Sequence, residues 1–187
     1  MEQTAEERKQ AALQMYEGYK KHFPEVPEIS PANLHELLEK REAGDAKVVV
    51  VDVRGADEQS VSMIPDGTLK QADFEKRKSA YRDHQVVSYC TIGYRSGKYA
   101  ESLRKEGFDA SNLIGSILMW THAGYPLVSS YDEEKGSAPA SDEPSRTPRV
   151  HTCGKKWRLA GDGYEMVTPE PQGLLSKVKA AVIERFA

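Results

Sequence analysis

The sequence predicts an α/β fold with a parallel sheet covered by helices. Residues 47–54 form a nearly continuous β-branched run, which is typical of a strand buried on both faces. A second run of β-forming residues follows at residues 86–89, and a short apolar run at residues 112–114. Helix-compatible segments separate these runs, and such alternation favours a layered α/β domain.

Helices are predicted where capping residues, prolines and apolar spacing agree. Residues 2–22 form a charged segment with a partial apolar face, and we expect this helix to pack on the main domain through its aromatic side chains. Ser30 is a predicted N-cap, with Pro31 at the first helical position. The remaining helices are predicted over residues 31–42, 73–82, 94–105 and 173–186.

Two segments at the C-terminal end differ in composition from the rest. Residues 129–149 are rich in Ser, Pro, Glu and Asp, and they are predicted as a flexible linker because they lack the apolar surface that would offset the entropy of ordering. Residues 150–187 regain apolar side chains and form a predicted C-terminal extension with a terminal helix. This extension is too short for an independent domain, so we expect it to dock on the main domain or on a second subunit.

Charge and composition exclude several classes of function. The 187-residue chain has a formal net charge of -3 and a pI of about 6.0, without a long Lys/Arg run, so no nucleic-acid partner is expected. No apolar run could span a bilayer, so no membrane partner is expected either. The first ten residues are polar, which predicts no secretory signal. With two cysteines and no disulfide pattern, we expect a cytoplasmic, reducing location.

Residues 90–96, Cys-Thr-Ile-Gly-Tyr-Arg-Ser, connect the second strand to a predicted helix. The amides and the dipole at a helix N-terminus stabilise an anion, so they favour a thiolate at Cys90. Gly93 lets the backbone turn, and Arg95 adds a permanent positive charge. This chemistry suits acceptance of a sulfane sulfur, attack on a phosphate or reduction of arsenate, since all three need a low-pKa thiolate.

Further motifs stand in a defined order around this loop: residues 50–54 with Glu58, 63–65, 89–96, 107–108, 112–116, Trp120 and 124–126. In this order and spacing they resemble the rhodanese family of sulfurtransferases. The resemblance spans residues 29–128 and leaves residues 1–28 as an N-terminal helical extension. It implies a rhodanese-like fold with a parallel sheet of about five strands flanked by helices.

The resemblance implies a sulfurtransferase in which Cys90 is the nucleophile and becomes a persulfide. The enzyme would move a sulfane sulfur from a donor such as thiosulfate or a persulfide to a thiol or to cyanide, and a protein thiol is a further candidate acceptor. Arg95 would bind the anionic end of the donor. No cofactor is expected. The sulfur anion would be held by the backbone amides of the loop residues Thr91, Ile92, Gly93, Tyr94 and Ser96.

Three polar residues are expected to support the site rather than to react. Asp52 should accept hydrogen bonds at the end of its strand, and Arg54 should pair with Glu58. No metal is expected, because His151 and Cys153 are the only closely spaced pair of ligand residues and one pair cannot close a zinc site.

Cys153 has two interpretations. It is expected to be an ordinary thiol, and the alternative is a resolving cysteine that attacks the Cys90 persulfide.

Two other functions stay open. Phosphatase-like relatives have a loop one residue longer and commonly a histidine before the cysteine, whereas this chain has four residues between Cys90 and Arg95 and has Tyr89 before the cysteine. These differences favour sulfur over phosphate or arsenate. The other alternative is a non-catalytic scaffold whose domain binds a partner, since a fold alone does not imply an activity.

Overall fold

The computed structural model describes residues 3–129 and 145–168. The predicted helix over residues 173–186 lies outside them. Short 3₁₀ turns occupy Lys78–Tyr81 and Lys155–Trp157. The regular elements are, in chain order, α1 (Ala5–Lys20), β1 (Glu28–Ile29), α2 (Pro31–Glu42), β2 (Val48–Asp52), α3 (Ala56–Val61), β3 (Leu69–Lys70), α4 (Gln71–Arg77), β4 (Gln85–Tyr89), α5 (Tyr94–Lys105), β5 (Asp109–Leu113), α6 (Ser116–His122), β6 (Leu127–Ser129), β7 (Ser145–Thr147), β8 (Arg149–His151) and β9 (Glu165–Val167).

Five strands form a parallel sheet in the order β1-β5-β4-β2-β3, and helices flank it. This confirms the predicted α/β fold. The register places Asp52, the last residue of β2, opposite Tyr89, the last residue of β4. The carboxyl ends of the two central strands therefore lie side by side. Both valine runs are buried, as their continuous β-branched pattern predicted.

Two predicted elements differ in extent from those observed. β5 begins at Asp109 rather than at residue 112, because the polar residues Asp109 and Ser111 hide the first part of the strand from an apolar pattern. The helix predicted over residues 73–82 is divided into α4 and the first 3₁₀ turn. No helix in the described part of the chain combines the length and the apolar character needed to cross a membrane.

The N-terminal extension packs on the domain through aromatic side chains. Thr4 and Glu7 cap α1 reciprocally, each side chain bonding the backbone of the other. Tyr16 is fully buried, and its hydroxyl donates to Glu28 Oε1 at 2.6 Å. Tyr19 is 9% exposed. α1 therefore packs through its aromatic face, as the sequence predicted.

The described part of the C-terminal extension packs on the same domain. β7 pairs antiparallel with β6, and β8 pairs parallel with β9. Of the predicted linker, residues 130–144 lie outside the described residues and residues 145–147 form β7, a strand whose polar sequence carries no β-strand signal. The Gly161 amide donates to Thr121 Oγ1 at 2.9 Å, and Arg8 Nε donates to the Ala160 carbonyl at 2.8 Å. Both extensions therefore contact the domain and each other.

Candidate active site

Cys90 lies directly after β4, at the carboxyl edge of the parallel sheet, where the ligand sites of such sheets form. Its residue surface is 2% exposed. The Sγ atom accepts a hydrogen bond from the Gly93 amide at 3.1 Å and from Ser96 Oγ at 3.5 Å, and Ser116 Oγ lies 4.0 Å away. Ser116 Oγ also accepts a bond from the Cys90 amide at 3.0 Å. The local structure thus directs several donors at one sulfur atom.

Opposing influences set the pKa of the Cys90 thiol. Burial would raise it, because a thiolate loses its hydration inside the protein. The charge of Arg95 and hydrogen bonds from Ser96 and Gly93 outweigh burial, so the pKa lies below its ordinary value. At neutral pH a larger fraction of Cys90 is therefore the nucleophilic thiolate than in a free cysteine.

Gly93 makes the turn of the loop and is covered by the N-terminal extension. Its φ is +113°, a conformation that favours glycine. A Cβ added here would lie 2.5 Å from Tyr16 Cδ2 and Cε2. Asn112 Nδ2 donates to the Gly93 carbonyl at 2.9 Å. The loop is therefore held by both β5 and α1, and sequence reasoning did not find the contribution of Tyr16, which carried only an aromatic packing signal.

Arg95 forms a bidentate ion pair with Glu58. Its Nη1 and Nη2 donate to Glu58 Oε2 and Oε1, both at 2.8 Å. Glu58 also accepts from the Gly55 amide at 2.9 Å and from Thr91 Oγ1 at 3.0 Å. Burial would raise the pKa of Glu58, but the bonds and the charge of Arg95 hold it well below its ordinary value. The predicted pairing of Glu58 with Arg54 is wrong, because Glu58 on α3 bonds the cysteine loop instead.

Arg54 pairs with Asp52 beneath the strand ends. The two side chains are fully buried, and Arg54 Nη2 donates to Asp52 Oδ2 at 2.7 Å. The Tyr89 hydroxyl donates to the same oxygen at 2.6 Å and accepts from the Ile64 amide at 3.1 Å. Asp52 is therefore a hydrogen-bond acceptor at the strand end, as predicted. The ion pair anchors the last residue of β4, directly before the reactive cysteine.

Cys153 reaches this cluster from the C-terminal extension. Its Sγ lies 2.8 Å from Glu58 Oε1, 3.1 Å from Thr91 Oγ1 and 3.6 Å from Arg95 Nη2. Burial and the Glu58 carboxylate raise the pKa of Cys153 to about 12, so it is a protonated thiol at neutral pH. Nothing in the sequence indicates this proximity, because Cys153 follows Glu58 by 95 residues. The two interpretations of Cys153, ordinary thiol and resolving cysteine, both stay predictions.

A possible ligand set forms around the same carboxylate. Candidate ligand atoms of Glu58, His151 and Cys153 lie within 4.8 Å of one another. His151 Nδ1 accepts from the Cys153 amide at 3.1 Å, and both Glu58 oxygens accept from Arg95. A cation here would face the Arg95 charge and compete for an occupied carboxylate. The donors fit a hydrogen-bonded cluster better than a metal centre, and the expected absence of a metal stays a prediction.

Aromatic side chains of the N-terminal extension pack against the loop. The rings of Tyr19 and Tyr94 lie 5.4 Å apart, and His22 packs edge-on against Tyr94 at 5.6 Å. Burial raises the pKa of Tyr19, the Trp157 indole lowers it and the Cys90 charge raises it. Tyr19, which sequence reasoning did not assign to the site, therefore packs beside the loop residue Tyr94.

The five loop residues predicted to hold the sulfur differ in what they contact. Gly93 and Ser96 bond the cysteine sulfur. The Thr91 hydroxyl is directed toward the carboxylate of the ion pair, Ile92 is buried in the hydrophobic core, and Tyr94 packs against α1. The side chains thus fix the loop from several directions, and the Gly93 amide donates to the sulfur.

Comparisons with known proteins agree with this geometry. A family model described as the Rhodanese-like domain matches residues 33–123. A sulfurtransferase of Allochromatium vinosum is 35% identical over 96 residues, which cover 50% of this chain and 90% of that protein. The solved structure of a thiosulfate sulfurtransferase from Pseudomonas aeruginosa superposes with a TM-score of 0.51 and 23% identity, over 64% of this chain and 23% of that one. This last likeness shows a shared fold.

Proposed function

This chain belongs to the rhodanese-like family, and from that premise we propose that it is a sulfurtransferase that carries sulfane sulfur as a persulfide on Cys90. The observation that supports this most directly is the buried Cys90 thiol, whose sulfur accepts bonds from Gly93 and Ser96 and whose pKa is lowered. The proposed donor is thiosulfate or a persulfide. The proposed acceptor is a small thiol, cyanide or a protein thiol.

The first half-reaction loads the cysteine. The Cys90 thiolate attacks the outer sulfur of the donor, so that a new S–S bond forms while the donor's own bond to that sulfur breaks. Sulfite or a thiolate leaves with the bonding electron pair. In the second half-reaction the acceptor attacks the outer sulfur, and Cys90 leaves as a thiolate. A lowered pKa serves both steps, because Cys90 is first the nucleophile and later the leaving group.

The loop is proposed to stabilise the sulfur anion at the N-terminus of α5. The Gly93 amide and the Ser96 hydroxyl already bond Sγ, and the amides of Thr91, Ile92 and Tyr94 would face the outer sulfur of a persulfide. These donors suit a sulfur anion because backbone N–H groups at a helix N-terminus bind anions without a counter-cation.

Arg95 is proposed to attract the anionic end of the donor. Because Nη1 and Nη2 both donate to Glu58, the guanidinium acts through its charge rather than as an unoccupied bidentate clamp. The same charge lowers the pKa of Cys90. Arg95 would thus assist both the approach of the donor and the ionisation of the nucleophile.

Intact mass after incubation with thiosulfate or a polysulfide tests the proposal. The wild-type protein should gain one sulfur atom, the gain should vanish in Cys90→Ala, and it should persist in the matched variant Cys153→Ala. Cyanide should then remove the sulfur and release thiocyanate. Absence of any gain with every donor would contradict the proposal and favour the non-catalytic scaffold.

A Cys-dependent phosphatase or arsenate reductase is the remaining alternative. It predicts hydrolysis of a phosphomonoester, or reduction of arsenate, at a rate abolished by Cys90→Ala. The four-residue spacing between Cys90 and Arg95 favours sulfur transfer, because the shorter loop is expected to fit a single sulfur better than a tetrahedral oxyanion. Phosphatase activity without sulfur loading would reverse this assignment.

A further inference from the structure

The N-terminal extension covers the backbone of the cysteine loop at two glycines. A Cβ added to Gly93 would lie 2.5 Å from carbons of the Tyr16 ring. A Cβ added to Gly97, four residues later, would overlap the Phe23 ring. Both aromatic residues are buried. Because the glycines have no side chains where the rings lie, the extension packs directly on the backbone that follows Cys90.

Asn112 on β5 holds the same part of the loop. It is fully buried, and its Nδ2 donates to the Gly93 carbonyl at 2.9 Å and to the Tyr16 hydroxyl at 3.4 Å. The Gly97 amide donates to the same carbonyl at 3.1 Å. The Gly93 amide in turn donates to Cys90 Sγ at 3.1 Å. Gly93 is therefore bonded to β5 on one side and to the reactive sulfur on the other.

A carboxylate fixes the Tyr16 ring against the glycine. The Tyr16 hydroxyl donates to Glu28 Oε1 at 2.6 Å, and Lys20 pairs with the other oxygen of that carboxylate. Glu28 on β1 stands in register with Asn112 on β5. Burial and the Glu28 carboxylate raise the pKa of Tyr16, so the hydroxyl keeps its proton. The hydroxyl thus donates to Glu28 and accepts from Asn112, and hydrogen bonds run without a break from β1 to the Gly93 carbonyl.

The conformation of Gly93 decides where its amide points. Its φ is +113°. Because Asn112 fixes the carbonyl and the Tyr16 ring covers the Cα, the rotation about φ that would turn the amide away from Cys90 is restricted. A hydrogen bond weakens as its angle departs from linearity, and a weaker bond to the thiolate favours the protonated thiol.

We propose that Tyr16 and Asn112 are positioning residues that direct the Gly93 amide at the Cys90 sulfur. This rests on the proposed function, and it adds that the N-terminal extension, which lies outside residues 33–123 of the family match, helps to activate the nucleophile. If the two side chains only packed the core, they would affect stability without affecting the ionisation of Cys90.

The test is the rate of Cys90 alkylation by iodoacetamide from about pH 5 to pH 10, with each cysteine of the full chain followed by peptide mass. Tyr16→Phe keeps the ring and removes the hydroxyl, and Asn112→Leu keeps a similar volume and removes the Nδ2 donor. Each should move the midpoint of the pH profile upward and slow alkylation below the midpoint about two- to fivefold. The rate at high pH should not fall, because a thiolate of higher pKa is at least as nucleophilic.

Tyr99→Phe is the matched control. It removes another hydrogen bond from a tyrosine to a glutamate, the bond of 2.5 Å from Tyr99 to Glu75 Oε1, and it should leave the pH profile of Cys90 unchanged. Burial of Cys90 and the charge of Arg95 also act on the thiol, and no variant replaces either residue. Melting temperatures are measured for all variants, because lost packing alone lowers them without moving the midpoint. If Asn112→Leu does not fold, Tyr16→Phe carries the test.

The outcomes separate positioning from packing. An upward midpoint in Tyr16→Phe and Asn112→Leu, with Tyr99→Phe unchanged, supports both positioning roles. An unchanged midpoint in a folded variant overturns the role of the residue that it replaces, and an equal shift in Tyr99→Phe overturns both roles. Sulfur loading from thiosulfate is measured separately. A wild-type protein that takes sulfur from no donor overturns the proposed function, whereas the alkylation profiles still decide whether Tyr16 and Asn112 position the amide.

Discussion

Replacing Glu58 with glutamine tests the ion pair that joins α3 to the cysteine loop. The carboxylate accepts bonds from the Gly55 amide, the Thr91 hydroxyl and the Cys153 thiol, and two bonds from Arg95. Glutamine keeps one acceptor oxygen and presents an NH₂ group to donors. Several donors therefore lose their acceptor, and Arg95 loses its counter-charge.

The expected loss of stability follows from burial. Removing one partner of a fully buried ion pair costs about 3–5 kcal/mol. The Glu58 side chain is 9% exposed, but that of Arg95 is 33% exposed, so water screens part of the charge left behind. We expect Glu58→Gln to lower the free energy of unfolding by about 2–3 kcal/mol. The matched variant Glu36→Gln breaks an exposed pair with Lys40 and should lower the free energy of unfolding far less than Glu58→Gln does, because water screens both charges.

The effect of Glu58→Gln should also depend on pH. Burial opposes ionisation of Glu58, but Arg95 outweighs it and holds the pKa below the ordinary value of 4.5. A lowered folded-state pKa contributes stability that is fully present above the unfolded-state pKa and is lost as the pH falls below it. The difference in the free energy of unfolding between wild type and Glu58→Gln should thus be constant from about pH 7 to pH 5.5. At about pH 3.5 this difference should be smaller by about 1.4 kcal/mol.

Denaturant titrations at these pH values measure the difference in the free energy of unfolding directly. The wild type, Glu58→Gln and Glu36→Gln are compared under the same conditions. The reasoning is refuted if Glu58→Gln costs no more than Glu36→Gln near neutral pH. It is also refuted if the difference in the free energy of unfolding between wild type and Glu58→Gln stays the same when the pH is lowered to about 3.5.

Two further predictions concern the cysteines and the loop. At about pH 8, iodoacetamide should label Cys90 and leave Cys153 unmodified, because the pKa of Cys90 is lowered and that of Cys153 is raised to about 12. Peptide mass mapping measures the labelling of each cysteine. Preferential labelling of Cys153 would contradict the prediction. Gly93→Ala should reduce sulfur loading about 10- to 100-fold, since its Cβ would overlap the Tyr16 ring and its φ is +113°. Gly18→Ala, which has no atom within 4 Å of the added Cβ, is the matched control and should load sulfur normally.

Much of the fold could be predicted because its signals are local. The valine run of β2 shows burial on both faces without knowledge of its neighbours. Ser30 bonds the Asn33 amide as an N-cap does, and α2 has the predicted extent. β7 was not predicted, because its polar residues gain their strand conformation from pairing with β6 rather than from an apolar pattern.

The site likewise contains some residues whose association could be predicted from local sequence and others whose association could not. The cysteine, the turn glycine and the arginine stand within one short segment, so their association could be read from spacing. The partner of Glu58 could not, because Arg54 and Arg95 were both plausible by charge and only the orientation of α3 decides between them.

By itself, the sequence determined that Cys90 would lie between a buried strand and a helix N-terminus, with Gly93 and Arg95 beside it. Residues that are neighbours in the sequence are always close in space, so the proximity of these three residues does not depend on how the rest of the chain packs. Only the tertiary structure decided that Cys153, which follows Cys90 by more than sixty residues, would contact Thr91 of the same loop. This contact results from the docking of the C-terminal extension on the domain, and no local pattern encodes a contact that depends on how distant segments pack.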